Sequence, residues 1–127
     1  LMRMDSDLFQ YLVGSVDGTL EKMPPISWKN KSAACIVLAS NGYPESYTKG
    51  DEIFGLGKAF DDACIFHAGT KVQDKKIITN GGRVLGVTAL GDTLESAIKH
   101  AYGVTEKISW KNKYLRTDIG KKGLTYL

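Results

Sequence analysis

The apolar residues of this chain occur in short runs bounded by turn-forming residues, and the longest run, residues 33–39, has only the length of a β-strand. A helix that crosses a membrane needs about 20 apolar residues in succession, so the pattern predicts a soluble protein without a membrane span. Turn formers flank residues 32–40, which favours a buried strand there. Apolar runs at residues 64–69 and 83–90 predict two further strands.

Two segments have the apolar spacing of amphipathic helices. In the first, Asp5 or Ser6 is placed to cap the helix and Gly18 to end it; its apolar positions are Leu8, Phe9, Leu12, Val13 and Val16. In the second, Asp92 and Glu95 have the spacing of a capping box; its apolar face carries Leu94, Ala97, Ile98, Ala101, Tyr102, Thr105 and Ile108. Strands clustered between two helices predict an α+β fold, a small antiparallel sheet with flanking helices.

The connections also carry local signals. Residues 72–78 have apolar ends and a polar tip, as a β-hairpin does. Residues 80–82, with the sequence Asn-Gly-Gly, predict a turn before the next strand. Residues 41–50 have turn chemistry at both ends and two tyrosines, which favours an ordered loop over a flexible linker.

Size and charge exclude several classes of protein. A chain of 127 residues supports one compact core, and a net charge of +3 is too small to indicate nucleic-acid binding without a clustered basic patch. Basic residues are frequent in residues 107–122, where Trp110 and Tyr114 also occur, but Asp118 interrupts them and no nucleic-acid-binding motif accompanies them. We therefore expect a solvated tail there and no nucleic-acid partner.

Cys35 and Cys64, the only cysteines, both lie inside apolar runs, which predicts buried, reduced thiols and favours a cytoplasmic protein. No closely spaced histidine completes a metal-ligand set, so no metal site is predicted. His67 stands between Phe66 and Ala68 and is expected in the core, whereas His100 is expected on the polar side of the second helix. Neither histidine has a catalytic partner in the sequence, so the catalytic residues stay unknown.

One segment has the chemistry of a phosphate site. Gly81 and Gly82 would let backbone amides approach an anion, and Arg83 directly after them offers a guanidinium that can grip phosphate with two hydrogen bonds. The same residues, with Asn80, also fit a plain hairpin turn in which Arg83 only covers the sheet. Residues 50–59 lack the spacing and the terminal Ser or Thr of a phosphate-binding nucleotide loop, so no complete nucleotide site is predicted.

Several segments in register resemble the C-terminal end of the phosphoribosylamine-glycine ligases, also called glycinamide ribonucleotide synthetases. They are residues 3–8 (RMDSDL), 37–50 (VLASNGYPESYTKG), 66–70 (FHAGT), 80–87 (NGGRVLGV), 89–93 (ALGDT) and 116–120 (RTDIG). The resemblance covers nearly the whole chain. The chain also starts in a strand-like alternation, without the tail expected before a first element, which predicts a fragment of a longer enzyme.

The resemblance implies an ATP-dependent ligase of purine biosynthesis that joins glycine to 5-phosphoribosylamine and releases ADP and phosphate. It implies that residues 1–20 are the last strand and helix of an ATP-grasp core, that residues 21–127 are the C-terminal domain, and that ATP and magnesium are held mainly by an upstream part. The fragment alone is expected to be inactive. By analogy with related enzymes, the residues expected to bind the ribonucleotide are Asn80, Gly81, Gly82, Arg83, Lys71 and Arg3. The alternative is a module without a catalytic role that supports the ATP-grasp core or binds a partner.

Overall fold

The computed structural model describes residues 1–126. The helices are α1 (Leu8–Val16), α2 (Leu94–Thr105) and α3 (Lys121–Leu124), and a single 3-10 turn spans Leu20–Lys22. The strands are β1 (Ser32–Ser40), β2 (Ala63–His67), β3 (Thr70–Gln73), β4 (Lys76–Thr79), β5 (Arg83–Gly91) and β6 (Lys113–Tyr114). The predicted α+β fold is confirmed. Within residues 1–126, every helix is too short or too polar to cross a membrane.

Four strands form the main sheet, in the order β2-β5-β1-β6, and all neighbouring pairs are antiparallel. β5 lies at its centre and pairs with β1 over nearly its whole length, from Ser32 opposite Gly91 to Ala39 opposite Arg83. A register shift between Leu38 and Ala39 bends β1 near its end. The strand predicted at residues 32–40 is confirmed at those bounds.

Helix α2 covers one face of the sheet and closes the core. Ile36 and Leu38 of β1 and Val87 of β5 are fully buried there, opposite Ala97 and Ala101 of the helix. The two alanines let the helix approach closely because they add little volume to its sheet-facing side. The capping box was predicted on the wrong residues: Thr93 is the N-cap, its hydroxyl accepts a hydrogen bond from the Ser96 amide, and its own amide donates to the Ser96 hydroxyl.

The opposite face of the sheet is open, which corrects the prediction that β1 is buried on both sides. Phe66, Gly86 and Val37 face one another across three strands, and Val37 is 44% exposed. In the neighbouring row Thr88 lies between Cys35 and Cys64. Cys35 is exposed and Cys64 half-buried, so the prediction of two buried thiols is wrong. An apolar run marks a strand, but it does not say whether a second layer covers it.

The predicted hairpin in residues 72–78 is confirmed as β3 and β4, which form a separate two-stranded sheet. Asp74 and Lys75 at its tip have φ angles of 51° and 62°, as a type I′ turn requires. The chain then crosses through residues 80–82 to the middle of the main sheet. Since β4 and β5 belong to different sheets, residues 80–82 do not form a hairpin turn.

Helix α1 is capped by Asp7 and not by Asp5 or Ser6 as predicted; the Asp7 carboxylate accepts a hydrogen bond from the Phe9 amide at 2.9 Å. Gly18 follows the helix with φ +66°, and the Thr19 amide donates to the Gly14 carbonyl, which ends the helix as predicted. Of residues 1–5, only Met4 pairs in a strand-like bridge, with Trp28. The apolar side chains of α1 are exposed, Phe9 by 70% and Val16 by 87%.

Candidate functional site

The predicted phosphate-binding residues lie where residues 80–82, called here the glycine segment, cross over Gly69. The Asn80 amide donates to the Gly69 carbonyl at 2.7 Å. A β-carbon on Gly69 would stand 2.7 Å from the Gly81 α-carbon, and one on Gly81 would stand 3.0 Å from the Gly69 α-carbon. Both positions therefore need glycine, because any side chain would push the two backbones apart.

Ser40 holds the glycine segment from the other side. Its amide donates to the Gly82 carbonyl at 2.8 Å, and its hydroxyl donates to the Gly81 carbonyl at 3.1 Å. Ser40 is 1% exposed, so these hydrogen bonds are shielded from water. Two carbonyls of the segment are thus occupied within the protein, and the segment has a fixed path between Ser40 and Gly69.

The loop of residues 41–50 packs the ring of Tyr43 against Gly82. The Tyr43 and Tyr47 rings meet edge to face at 5.8 Å. The Asn112 amide donates from its side chain to Thr48 Oγ1 and to Asp51 Oδ2, both at 2.9 Å. The loop is ordered by these contacts, as predicted. Nothing in its sequence marks Tyr43 as a neighbour of Gly82, because the contact depends on how two loops meet.

Two open cavities lie on either side of the glycine segment. The first, called the Arg83 cavity, has a volume of about 500 Å³ and extends along the open face of the sheet. Its walls are mainly apolar, and Arg83, His67 and Tyr43 supply its polar groups; the other lining residues are Val37, Phe66, Ala68, Gly82, Leu85 and Gly86. This combination suits a ligand with one anionic end, since a guanidinium can grip phosphate oxygens in pairs.

The second cavity, called the lysine cavity, has a volume of about 450 Å³ and lies beside the β3–β4 hairpin. Lys49, Lys71 and Lys76 line it together with Asn80, and Glu52 and Asp74 offset much of their charge. Lys76 Nζ already pairs with Glu52 Oε2 at 2.8 Å. The cavity is polar and mixed in charge, which makes it a weaker anion site than the Arg83 cavity.

The structure therefore does not bring all six predicted residues together. Gly82 and Arg83 line the first cavity, Lys71 and Asn80 line the second, and Gly81 packs between them against Gly69. Arg3 lies with the N-terminal segment, where its carbonyl accepts from the Lys29 amide at 2.7 Å, and it lines neither cavity. Ligand binding by any of these residues remains a prediction.

Both histidines contribute to open cavities. His67 is exposed and lines the Arg83 cavity, so its predicted place in the core is wrong. Its Nδ1 lies 2.9 Å from Thr70 Oγ1. His100 is half-buried on α2, with Nδ1 3.2 Å from the Leu90 carbonyl oxygen, and lines a separate groove beside that helix.

Two of the basic residues near the C-terminus, Lys113 and Arg116, make contacts within the protein. Lys113 Nζ donates to the carbonyls of Thr105 and Ile108 at 3.0 and 2.6 Å, at the end of α2, and burial lowers the pKa of this lysine. Arg116 pairs with Asp118 at 2.5 Å, and the hydrogen bond from this guanidinium lowers the pKa of the carboxyl group to about 2. Lys113 and Arg116 are thus engaged within the protein, and the absence of a nucleic-acid partner stays a prediction.

Metal ligands are not gathered in the part of the chain that the structure describes. Nowhere in residues 1–126 do three or more His, Cys, Asp or Glu side chains come together as a metal ion would need. Two carboxylates in this region bond to neighbouring side chains: Glu52 accepts from Lys76, and Asp51 accepts from Asn112. The residues described here do not fit a magnesium site.

Comparison with known proteins matches residues 33–122 to the family model "Phosphoribosylglycinamide synthetase, C domain". The chain is 49% identical to a phosphoribosylamine-glycine ligase of Synechocystis over 92% of its own length and 28% of that enzyme. It is 43% identical to a bifunctional purine biosynthetic protein of Dictyostelium discoideum over 98% of its length and 16% of that protein. A crystal structure of a phosphoribosylamine-glycine ligase from Thermotoga maritima superimposes with a TM-score of 0.65 at 38% identity, over 83% of this chain and 27% of that one. The chain thus spans less than a third of the length of these relatives.

Proposed function

The chain belongs to the phosphoribosylglycinamide synthetase C-domain family, and we propose that it acts as the C domain of an ATP-dependent ligase that joins glycine to 5-phosphoribosylamine. The products are glycinamide ribonucleotide, ADP and phosphate, in purine biosynthesis. The observation that carries this proposal is 49% identity to such a ligase over 92% of the chain. The Arg83 cavity supports it, because one substrate carries a phosphate.

The ligation needs an activated carboxylate. A free carboxylate is a poor electrophile at neutral pH, so ATP first phosphorylates glycine to an acyl phosphate, which the amine of phosphoribosylamine then attacks. Holding the reactants together and stabilising charge supply most of such a rate enhancement. Residues 1–126 contain no group fitted to hold magnesium, so we assign ATP, magnesium and glycine mainly to the remainder of a longer enzyme, and the ribonucleotide to the wall formed by this domain.

Within that wall, Arg83 binds the phosphate of phosphoribosylamine. The sugar then extends from Arg83 along the open face of the sheet, where the cavity of about 500 Å³ has room for a ribose phosphate. Gly82 leaves the cavity open beside Arg83, because a side chain at this position would displace the Tyr43 ring. Asn80 and Lys71 belong to the neighbouring cavity and would reach the same ligand only from across the glycine segment.

The exposed apolar side of α1 supports a shared core with the rest of such an enzyme. Phe9, Leu12 and Val16 are exposed in this chain, and a stripe of this kind on an amphipathic helix normally faces a packed core. We assign residues 1–20 to the end of an ATP-grasp core and residues 21–127 to the C-terminal domain. The proposed enzyme is cytoplasmic and has neither a membrane nor a nucleic acid as partner.

A second candidate, a supporting module without a direct role in substrate binding, is favoured by the packing of the glycines. Gly69, Gly81 and Gly82 are all required by contacts within the protein, so the glycine segment does not need a ligand to explain its composition. In this alternative Arg83 only covers the sheet. The two candidates differ in what happens when Arg83 is removed.

The deciding experiment replaces Arg83 in a complete ligase that carries this chain as its C domain. Loss of a charged hydrogen bond costs about 1.5–3 kcal/mol, so Arg83→Ala should raise the KM for phosphoribosylamine roughly 10- to 150-fold and leave the KM values for ATP and glycine nearly unchanged. Arg83→Lys should recover only part of the loss, because lysine keeps the charge and loses the planar fork. Arg116→Ala is the matched control, since Arg116 is exposed and pairs with Asp118 outside the Arg83 cavity. An unchanged KM in a folded Arg83→Ala enzyme would favour the supporting module.

A further inference from the structure

His67 lies in the Arg83 cavity and has no role in the ligation as described so far. It is exposed, it lines the Arg83 cavity, and it stands at the end of β2 opposite Leu85 of β5. A ligand whose phosphate is bound by Arg83 would share this cavity with the imidazole. The apolar remainder of the lining supplies no other side chain that readily accepts a proton near neutral pH.

The backbone after His67 and one nitrogen of its imidazole ring are both held in place. The Ala68 amide donates to the Val84 carbonyl at 3.0 Å, and the Gly69 amide donates to the Arg83 carbonyl at 2.9 Å, so the backbone after His67 is tied to the strand that carries Arg83. Nδ1 lies 2.9 Å from Thr70 Oγ1. When the neutral ring donates its Nδ1 proton to this hydroxyl, the lone pair lies on Nε2. Among residues 1–126, no group forms a hydrogen bond with Nε2.

We propose that His67 is the general base of the ligation and accepts a proton from the attacking amine of phosphoribosylamine at Nε2; this rests on the function proposed above. The amine nitrogen forms a bond to the carbonyl carbon of glycyl phosphate, and the bond from that carbon to the phosphate oxygen breaks, its electron pair leaving with phosphate. The nitrogen gives up its extra proton to Nε2. Because His67 is exposed, the imidazolium then returns the proton to water, and the ring is neutral for the next turnover.

Thr70 is the positioning residue of this arrangement. Its hydroxyl lies 2.9 Å from Nδ1 and orients the ring, and the tautomer that carries its proton on Nδ1 directs the lone pair of Nε2 away from Thr70. Arg83 fixes the other end of the substrate. With the phosphate and the proton acceptor both anchored to paired strands, the amine would meet the acyl phosphate in a restricted geometry.

The test separates acyl-phosphate formation from amine attack in a complete ligase that carries this chain. Phosphoribosylamine is generated in the assay from ribose 5-phosphate and ammonia, and hydroxylamine traps glycyl phosphate as glycine hydroxamate. General bases typically contribute about 10²- to 10⁴-fold, so His67→Ala should lower kcat for glycinamide ribonucleotide by at least roughly 100-fold. The hydroxamate rate should fall less than about 3-fold, because hydroxylamine is a strong nucleophile that needs little assistance.

Two further measurements distinguish a base from a structural histidine. Added imidazole should restore activity to His67→Ala in proportion to its unprotonated fraction, because His67 is exposed and its removal leaves an open space. Thr70→Val should lower kcat and leave the KM for phosphoribosylamine nearly unchanged. His100→Ala is the matched control: His100 bonds to the Leu90 carbonyl and lines a different groove, so its loss should change neither rate.

The possible outcomes separate the two proposals. If the unaltered enzyme makes glycinamide ribonucleotide and His67→Ala keeps its full rate, His67 is not the base and the proposed function stands. If His67→Ala lowers both rates equally and imidazole restores nothing, the histidine is structural and the inference is overturned. If the unaltered enzyme forms neither glycinamide ribonucleotide nor glycine hydroxamate, the proposed function is itself contradicted, and the role of His67 in it falls with it.

Discussion

Gly82 lies against the aromatic ring of Tyr43, so closely that a β-carbon on Gly82 would overlap three carbons of that ring. This contact joins the loop of residues 41–50 to the glycine segment and forms one wall of the Arg83 cavity. It also shows that glycine at this position has a packing reason independent of any ligand. Substitution of Gly82 therefore tests the wall without touching the charge of Arg83.

Gly82→Ala is expected to destabilise the protein by about 1–3 kcal/mol, the usual cost of forcing an extra carbon into packed surroundings. The matched control is Gly103→Ala. Gly103 lies in α2, and a β-carbon there would meet nothing within 4 Å, so the change should stabilise the helix by up to about 1 kcal/mol. Urea unfolding followed by circular dichroism measures both. Equal effects of the two substitutions would mean that the Tyr43 ring moves freely out of the way.

The thiols should react at different rates in the folded protein. Cys35 is exposed on the open face of the sheet, whereas Cys64 on the edge strand is half-buried. A thiol reagent should therefore label Cys35 at close to the rate seen in the unfolded chain and Cys64 at least several-fold more slowly, since access to the sulfur limits the reaction. The fast phase should disappear in Cys35→Ser. If it disappears in Cys64→Ser instead, Cys64 is the more accessible of the two thiols on this face, which contradicts the exposures in the structure.

Acid should weaken the fold partly through Asp118. The hydrogen bond from Arg116 lowers the pKa of this carboxyl group from 3.8 to about 2. Because the folded state holds the proton less tightly than the unfolded state, the stabilisation is present above pH 4 and is lost as the pH falls toward 2. A nuclear magnetic resonance titration should give a midpoint near 2, and Arg116→Ala should return it toward the usual range. Both side chains are largely exposed, so high salt should reduce the effect.

Local sequence signals predicted the strands and the hairpin well, because their causes lie within a few residues. A continuous apolar run with flanking turn formers marks β1, and the polar tip at Asp74 and Lys75 marks the β3–β4 turn. The helix caps were misplaced by one or two residues where several capping residues are adjacent. In the structure Asp7 caps α1, although Asp5 or Ser6 was predicted, and Thr93 caps α2, although Asp92 was predicted.

Local sequence signals could not predict that one face of the main sheet is uncovered, or that the predicted site residues are divided between two cavities. Cys35 and His67 stand in apolar runs, and the sequence does not reveal that only one face of the sheet is covered by α2. Lys71 and Arg83 were predicted, by analogy with related enzymes, to bind the same ribonucleotide. They are separated because the chain crosses between two sheets at Gly69 and Gly81, which is a long-range contact.

The apolar side of α1 gives a test of how this chain would fit into a longer enzyme. Leu12 is 56% exposed here, so Leu12→Ala should change the free energy of unfolding of this chain by no more than about 0.5 kcal/mol. Ile36→Ala is the buried control, because Ile36 is fully enclosed between the sheet and α2, and it should cost about 2–5 kcal/mol. In a complete ligase, Leu12 would be covered by the ATP-grasp core, and Leu12→Ala should then cost about as much as Ile36→Ala. A cost that stays small in the longer enzyme would show that α1 is not part of a shared core and would contradict the assignment of residues 1–20.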